Sequence, residues 1–403
     1  MKAQRPAFRK SIPLILLAFV ATLAGCAGNA ETVPAATVPD ADLSAMAALG
    51  EQIFHDVSLS ASGRLSCATC HDADHALSAA DALAVSLGGA TGQSQGLRNA
   101  PCLRYVTLTP AFFFDAEGTP TGGFDRDGRV STLAEQARRP FLTSFEMANA
   151  SAAEVADKLS RADYAADFRA QFGERIFDDP AAAFERALLA IQQYEREDVA
   201  EFAPFSSKYD AFQDGLATLT DAELRGLALF NNPLKGNCAA CHPSSRGPND
   251  ERPLFTDFTY DNIGVPRNPA IAANADPTYF DLGLCGPERT DITDRVDLCG
   301  AFKVPTLRNV ALSAPYFHNG KFATLTEALG FYVRRDTNPQ EWFPTDAAGV
   351  VHPFDDLPSA YRVNVNHTEV PYNRVLGDVP ALDESEIADV ISFLQTLNDG
   401  YQP

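Results

Sequence analysis

Two pentapeptides decide the fold of this chain: Cys67-Ala-Thr-Cys70-His71 and Cys238-Ala-Ala-Cys241-His242. Their shared pattern, Cys-x-x-Cys-His, is the attachment signature of c-type haem, in which both thiols are bonded to the porphyrin and the histidine ligates the iron. A Cys-x-x-Cys pair by itself could instead be half of a zinc site or a redox dithiol. Because a histidine directly follows both pairs, we expect two covalently bound haems, with His71 and His242 as iron ligands.

The two motifs belong to a loose internal repeat. Each follows a segment with the apolar spacing of an α-helix, which starts near Leu43 in the first copy and at Thr220 in the second. We therefore expect one haem domain over residues 42–215 and a second over residues 216–403.

The rest of the chain has a helical pattern interrupted by loops. Periodic apolar and charged residues predict helices over 151–172 and 181–197, and Asp383-Glu-Ser-Glu386 is a capping pattern for a last helix. The segments 250–315 and 336–380 are rich in proline, asparagine, aspartate and glycine, which indicates loops. The expected fold class is mainly α, with two cytochrome c-like haem domains and long irregular loops.

The first 41 residues have the composition of an export signal and a tether. Basic residues precede the apolar stretch from Ile12 to Leu23, which is short for a permanent membrane span. The stretch ends in Leu23-Ala-Gly-Cys26, which resembles the lipoprotein signal of bacteria; an ordinary secretory signal with a chance cysteine is the alternative. We expect residues 1–26 to be the signal peptide, Cys26 to be lipidated, and 27–41 to be a flexible tether. The protein would then lie in the periplasm, anchored to the outer membrane by lipid alone.

Charge narrows the range of partners. The 403 residues carry a formal net charge of −21, with a pI of about 4.6. This balance argues against nucleic acid and anionic membrane surfaces as partners, and it favours basic proteins.

Three cysteines remain outside the haem motifs and the export signal. Cys285 and Cys299 flank a polar loop, and in an oxidising compartment they are predicted to form a disulfide. Cys102 is left over and is expected to be a small buried residue.

The first haem is expected to keep one open axial position. His75 lies only four residues after His71, too close to reach the opposite face, and His55 falls in a predicted surface turn. Both are more simply structural, and the segment 83–99 contains no histidine. An iron with an open face can bind peroxide, whereas an iron with two strong protein ligands transfers electrons.

Taken in order, several stretches of the chain resemble the bacterial dihaem cytochrome c peroxidase and MauG family, over nearly all of residues 43–400. These stretches are Leu65-Ser-Cys-Ala-Thr-Cys-His-Asp72, Arg98-Asn-Ala-Pro101, Asp127-Gly-Arg129, Glu135-Gln-Ala-Arg-Arg-Pro140 with Glu146-Met147, Phe302-Lys-Val-Pro-Thr-Leu-Arg-Asn-Val310 and Ala314-Pro-Tyr-Phe-His-Asn-Gly320.

The resemblance implies a peroxide pocket over the first haem. The pocket of the family uses a glutamine, a proline four residues later and a glutamate six beyond that, and Gln136, Pro140 and Glu146 have this spacing. Cleavage of peroxide needs a base that takes a proton from one oxygen and returns it to the other, which one carboxylate can do. Taken alone, Glu146 would more simply cap or solvate a helix.

The resemblance also implies a sixth ligand for the second haem. In the family it lies fourteen residues after the histidine that is His318 here, which gives Tyr332. Peroxidases typically have methionine there and MauG-like members have tyrosine, a hard donor that lowers the reduction potential of the iron. The alternative is that Tyr332 is a core residue of an amphipathic helix and the second iron is ligated otherwise.

Family members hold a calcium ion between their domains, through an asparagine side chain and two backbone carbonyls. The corresponding positions are Asn99, Ser313 and Pro315, an oxygen set that suits calcium. One departure concerns the tryptophan that usually precedes Asp-Gly-Arg between the haems: here that position is Arg126, and the single tryptophan is Trp342. Electrons then pass between the haems by another path, or less readily than in MauG.

Together these features favour a peroxidase of the cytochrome c type, which would reduce hydrogen peroxide to water at the first haem. The second haem would collect electrons from a small cytochrome c or a cupredoxin. A MauG-like oxidase acting on residues of a partner protein is the closest alternative, favoured by Tyr332 and by the missing distal histidine, and opposed by the missing tryptophan. A dihaem electron carrier without enzymatic activity is the third, and it requires two six-coordinate irons.

Overall fold

The computed structural model describes residues 43–402 of the chain. Over these residues, eleven α-helices are joined by long loops and by three short antiparallel strand pairs, which confirms the prediction of a mainly α fold. The predicted signal peptide, Cys26 and the tether lie outside the described residues. Between residues 43 and 402, no helix combines the length and the apolar character needed to cross a bilayer.

Eight of these helices lie before residue 220 and three lie after it. They are α1 (Ala45–His55), α2 (Cys67–Cys70), α3 (Leu133–Leu142), α4 (Ala152–Leu159), α5 (Ala165–Phe172), α6 (Pro180–Glu197), α7 (Val199–Phe202), α8 (Lys208–Gln213), α9 (Asp221–Asn231), α10 (Leu325–Arg334) and α11 (Glu384–Gln395). The strand pairs are β1 (Leu87–Gly88) with β2 (Ser94–Gln95), β3 (Phe113–Phe114) with β4 (Pro120–Thr121), and β5 (Tyr260–Asp261) with β6 (Phe302–Lys303).

Side-chain caps begin the helices at the predicted places. Thr220 Oγ1 accepts a hydrogen bond from Glu223 N at 3.3 Å, while Glu223 Oε2 accepts one from Thr220 N at 2.7 Å. Asp383 and Glu386 make the same reciprocal pair at the start of α11. Because each box satisfies backbone donors that a helix start leaves free, both boundaries follow from local sequence.

The single helix predicted over 151–172 is wrong, since the chain forms α4 and α5 with a turn between them. Leu159 and Tyr164 are both buried in the same apolar cluster, at 0% and 6% exposure. Five residues along one continuous helix point about 140° apart, so these side chains could not share a face. The turn brings both into the core, and it lets Tyr164 donate a hydrogen bond to Asp56 Oδ2 at 2.7 Å.

The internal repeat is visible in how two helix pairs cross. In the first half α1 crosses α6, and a Cβ added to Gly50 would lie 2.0 Å from the carbonyl oxygen of Ala190. In the second half α9 crosses α11, and a Cβ added to Gly226 would lie 2.0 Å from the carbonyl oxygen of Asp389. The helix before each haem motif therefore packs, backbone against backbone, on the last long helix of its own half.

Substitution of either crossing glycine by alanine is expected to destabilise the protein by about 1–3 kcal/mol, as overpacking commonly does. Alanine is otherwise favoured over glycine inside a helix by about 1 kcal/mol. Any loss of stability must therefore come from a clash at the helix crossing. Thermal unfolding of Gly50→Ala and Gly226→Ala tests this, with the exposed Gln52→Ala of α1 as control. An unchanged midpoint in both glycine variants would contradict the close crossings.

Apolar side chains form separate clusters in the two halves. One cluster joins α1, α3, α4, α5 and α6, and a second joins α9, α10 and α11. A third surrounds Phe331 of α10 and includes Phe343 and Phe354 from the loops that follow. Residues 43–402 form one compact unit.

Candidate functional site: two haem cavities

The first haem motif opens onto a cavity in the N-terminal half. Cys67 and Cys70 lie on α2, and His71 follows that helix. His71 Nδ1 lies 3.0 Å from the carbonyl oxygen of Leu77. Since a carbonyl can only accept, Nδ1 carries the proton and Nε2 keeps a free lone pair, and burial lowers the pKa of the imidazole so that it stays neutral. This is the form of histidine that ligates a metal.

The second motif has the same arrangement in the C-terminal half. Cys238, Cys241 and His242 line a second cavity, and His242 Nδ1 lies 2.7 Å from the carbonyl oxygen of Phe255. Burial again lowers the pKa of the imidazole. The hydrogen bond therefore orients both histidines alike, with Nε2 left for an iron.

Both cavities have a donor set that matches a haem. Burial raises the pKa of Cys67 and Cys238 to about 12, which is opposite to the lowered pKa of a reactive redox dithiol. Two thiols and a neutral imidazole in each cavity fit a c-type haem.

The three residues predicted for a peroxide pocket line the first cavity together. Gln136 and Pro140 lie on α3, and the chain turns back just after that helix, where Glu146 N donates to the carbonyl oxygen of Thr143 at 3.0 Å. Met147 N donates to the carbonyl oxygen of Pro140 at 2.9 Å. The turn is thus tied to the helix, which brings the Glu146 carboxyl into the cavity that Cys67, Cys70 and His71 line.

The segment 83–99 packs against this turn. Gly89 N donates to the carbonyl oxygen of Glu146 at 2.7 Å. A Cβ on the preceding Gly88 would lie 2.4 Å from the carbonyl oxygen of Phe145, so only glycine permits this approach. Residues at both ends of the segment line the first cavity, and they present no imidazole to it.

His55 and His75 both lie at the surface. His55 Nδ1 is 3.0 Å from the carbonyl oxygen of Glu51, within its own helix, and His75 pairs with Asp72 at 2.9 Å. Among the described residues, His71 is the only histidine that lines the first cavity. The position opposite His71 therefore has no histidine within the described part of the chain.

The Glu146 carboxyl is buried, and its Oε2 has no hydrogen-bond partner among residues 43–402. Burial raises the pKa of Glu146 to about 7, with smaller opposing effects of Arg139 and Arg129 and supporting effects of Asp125 and Glu288. A buried carboxyl with an unpartnered oxygen is costly in a fold, and such groups concentrate at functional sites.

The charged neighbours of Glu146 pair with one another. Arg139 Nη2 lies 2.6 Å from Glu288 Oε2, and Arg129 Nε lies 2.8 Å from Asp125 Oδ2. Because each arginine has an acidic partner, the two cations offset only part of the effect of burial on Glu146. Burial therefore remains the main cause of the raised pKa of Glu146.

In the second cavity, Tyr332 of α10 accompanies Cys238, Cys241 and His242. Its ring packs against Phe317 at 5.6 Å and Tyr372 at 6.0 Å between centroids, which limits the directions that the hydroxyl can take. Burial raises the pKa of the phenol well above its ordinary value. The structure thus brings the predicted sixth ligand to the cavity that His242 lines.

Comparison with known proteins gives the family. A family model described as "Di-haem cytochrome c peroxidase" matches residues 44–218. The methylamine utilization protein MauG of Paracoccus denitrificans is 38% identical to the chain over 97% of the chain and 96% of that protein. The chain belongs to the dihaem cytochrome c peroxidase and MauG family.

Members of both kinds are similar to the chain. The cytochrome c551 peroxidase of Nitrosomonas europaea is 31% identical over 74% of this chain and 75% of that protein. The crystal structure of the diheme peroxidase BthA from Burkholderia thailandensis superposes with a TM-score of 0.79, at 43% identity, covering 88% of this chain and 86% of that chain. Family membership therefore makes the chain a dihaem oxidoreductase and leaves open which of the two activities it has.

The family's calcium positions lie together but are not free. Asn99, Ser313 and Pro315 line a third cavity, which also includes Arg126. Both oxygens of Asn99 already accept hydrogen bonds from Arg126, the backbone oxygen at 2.9 Å and Oδ1 at 2.8 Å. With a guanidinium donating to both of its oxygens, Asn99 does not fit a calcium ion.

One residue that lines the first haem cavity, Glu195, was missed by sequence reasoning. Glu195 lines the first cavity, is 3% exposed, and its Oε2 has no hydrogen-bond partner within the described range. Burial raises its pKa to about 8. The available signal was the place of Glu195 on α6, four residues after Ile191 on the apolar face of the helix. Core packing does not explain a charged residue on an apolar face. Arg126 was noticed as a departure, but its contacts come from segments distant in sequence.

The cysteines outside the motifs are placed as follows. Cys285 and Cys299 are joined by a disulfide. The loop that this bond closes carries Glu288 to the first cavity. Cys102 is partly buried, and its thiol donates to the carbonyl oxygen of Ala76.

Proposed function

We propose that the chain is a dihaem peroxidase that reduces hydrogen peroxide to water at the first cavity. The observation that carries this proposal is the Glu146 carboxyl, which is buried, has an unpartnered oxygen and has a pKa raised to about 7. It lines the same cavity as Cys67, Cys70 and His71. A base whose pKa lies near neutral pH is best matched to moving a proton in both directions.

The residues of the first cavity would have separate roles in this reaction. A bound haem supplies the redox chemistry of the oxygen–oxygen cleavage. Glu146, as carboxylate, accepts the proton from one oxygen of hydrogen peroxide and delivers it to the other, which leaves as water. Gln136 and Pro140, which face the same cavity from α3, restrict the room around the peroxide and exclude bulk water. Two electrons and two protons complete the reduction of one peroxide to two waters.

The second cavity would serve electron entry. We assign one haem to residues 42–215 and one to residues 216–403, with Cys238, Cys241, His242 and Tyr332 at the second. A net charge of −21 would attract a donor with a basic face, such as a small cytochrome c or a cupredoxin. Export by the N-terminal signal and lipidation at Cys26 would place the protein in the periplasm, where such donors occur.

A MauG-like oxidase is the second candidate, because Tyr332 stands where a methionine would favour the peroxidase. Steady peroxide consumption with a reduced cytochrome c as donor would support the peroxidase. Negligible turnover, with a spectral change that outlasts the added peroxide, would instead support oxidation of a partner protein. Absence of any reaction with peroxide would leave only an electron carrier, which the absence of a second histidine from the first cavity, within residues 43–402, argues against.

Removal of Glu288 is expected to lower the pKa of Glu146. In Glu288→Gln, Arg139 loses its partner at 2.6 Å and its charge becomes available to the Glu146 carboxylate. The carboxylate then persists to lower pH, so the pH at which peroxide cleavage reaches half its plateau moves down. Glu185→Gln is the matched control, since it frees Arg138, which also lies on α3, from an exposed pair. An upward shift, or equal shifts in the two variants, would contradict the explanation.

A further inference from the structure

Arg126 lies where three cavities meet. Its side chain lines the first haem cavity, the second haem cavity and the third cavity, which Asn99, Ser313 and Pro315 also line. Burial lowers the pKa of the guanidinium to about 10, so it keeps its positive charge at neutral pH. The chain therefore carries a fixed cation between its two haem cavities.

The contacts of Arg126 connect the two halves of the chain. Nε and Nη2 donate to the backbone oxygen and to Oδ1 of Asn99, at 2.9 and 2.8 Å. Asn99 N in turn donates to the carbonyl oxygen of His318 at 2.8 Å, and the carbonyl oxygen of Arg126 accepts from Lys303 N at 2.9 Å. Arg126 thus contacts the buried Asn99 of the first half, and together these two residues bind the segments around His318 and Lys303 in the second half.

The same contacts leave no room for a divalent ion at Asn99. A calcium ion binds its oxygen ligands at about 2.3–2.6 Å. An ion at that distance from Asn99 Oδ1 would stand next to the guanidinium that already donates to this atom, and the two positive charges would repel. The third cavity is also lined by Arg104 and Lys303, with Asp125 as its one acidic lining residue, so its charge disfavours a further cation.

We propose that Arg126 replaces the calcium ion that the family resemblance led us to expect, as a built-in cation that joins the two halves at Asn99. The haems would then be held in register without a bound metal, and no chelator could loosen the contact. This inference concerns the architecture between the cavities and holds for a peroxidase and for a MauG-like oxidase alike.

The test starts from the purified holoprotein without any substitution. Elemental analysis after dialysis against metal-free buffer is expected to find two irons and no calcium per chain. The apparent midpoint of thermal unfolding should be the same in calcium chloride as in the chelator EGTA. One tightly held calcium per chain that is lost in Asn99→Ala would overturn the proposal. Calcium that Asn99→Ala retains would lie elsewhere, and the Asn99 position would be metal-free as proposed.

A second measurement tests the joining role of Arg126. Arg126→Gln removes the charge, and Arg225→Gln removes an exposed arginine from its pair with Asp389 as a control. Exposed pairs contribute little to stability. We expect Arg126→Gln to lower the unfolding midpoint by roughly 2–4 °C or more, the control to leave it unchanged, and Arg126→Lys to recover part of the loss. Equal midpoints for Arg126→Gln and the control would overturn the joining role.

Discussion

Glu146→Gln is expected to slow peroxide cleavage by about 10²- to 10⁴-fold, the usual contribution of a positioned general acid–base. Glutamine keeps the shape of the side chain and can still donate a hydrogen bond, but it cannot accept a proton from peroxide and return it. The loss should therefore fall on cleavage and leave the attachment of both haems intact. Stopped-flow mixing with peroxide measures the rate of cleavage, and the haem absorbance per chain measures haem attachment.

The pH dependence of cleavage gives this prediction a second readout. Since the pKa of Glu146 is raised to about 7, its carboxylate form predominates only above that pH. The cleavage rate of the unaltered protein should rise as the pH increases through about 7 and level off above it. In Glu146→Gln the residual rate should lack this inflection.

Glu195→Gln is the matched comparison, because Glu195 is a second glutamate of the first cavity with a buried oxygen that has no hydrogen-bond partner in the described residues. A large loss of cleavage in Glu195→Gln, with a normal rate in Glu146→Gln, would transfer the proton shuttle to Glu195. Unchanged rates in both variants would remove a carboxyl from the mechanism altogether.

Tyr332→Met is expected to raise the reduction potential of the second haem by a few tenths of a volt, since axial ligands move haem potentials over a span of about 0.8 V. A phenolate oxygen is a hard donor that stabilises the oxidised iron, whereas a thioether sulfur favours the reduced state. Methionine has a flexible side chain that can fill the volume the ring leaves between Phe317 and Tyr372. The absorption spectrum of the second haem should change with the potential.

Spectroelectrochemical titration of both haems measures this shift. Tyr372→Phe is the control, since Tyr372 lines the same cavity beside Tyr332 and loses only its hydroxyl. A potential and spectrum of the second haem that stay unaltered in Tyr332→Met would refute ligation by Tyr332. Tyr332 would then be a core residue of α10.

Short-range sequence patterns predicted many of the helices. The capping boxes at Thr220 and Asp383 start α9 and α11 as expected, because a cap is satisfied within four residues. The helix predicted over 151–172 failed for the opposite reason. Its interruption depends on Leu159 and Tyr164 entering one core, and that core is made by α1, α3 and α6, which the local pattern does not contain.

The haem motifs could be named from spacing along the chain, since covalent attachment is a short-range property. The candidate residues Gln136, Pro140, Glu146 and Tyr332 could be named only through the resemblance to the family. The raised pKa of Glu146 could not be predicted, because it depends first on burial of the carboxyl in the folded chain and then on charges such as Glu288, which pairs with Arg139 from 149 residues away. The hydrogen bonds of Asn99 could not be predicted for the same reason, since the guanidinium that donates to both its oxygens lies 27 residues further on. Charges act through space, so which of them pair is decided only when the loops fold together.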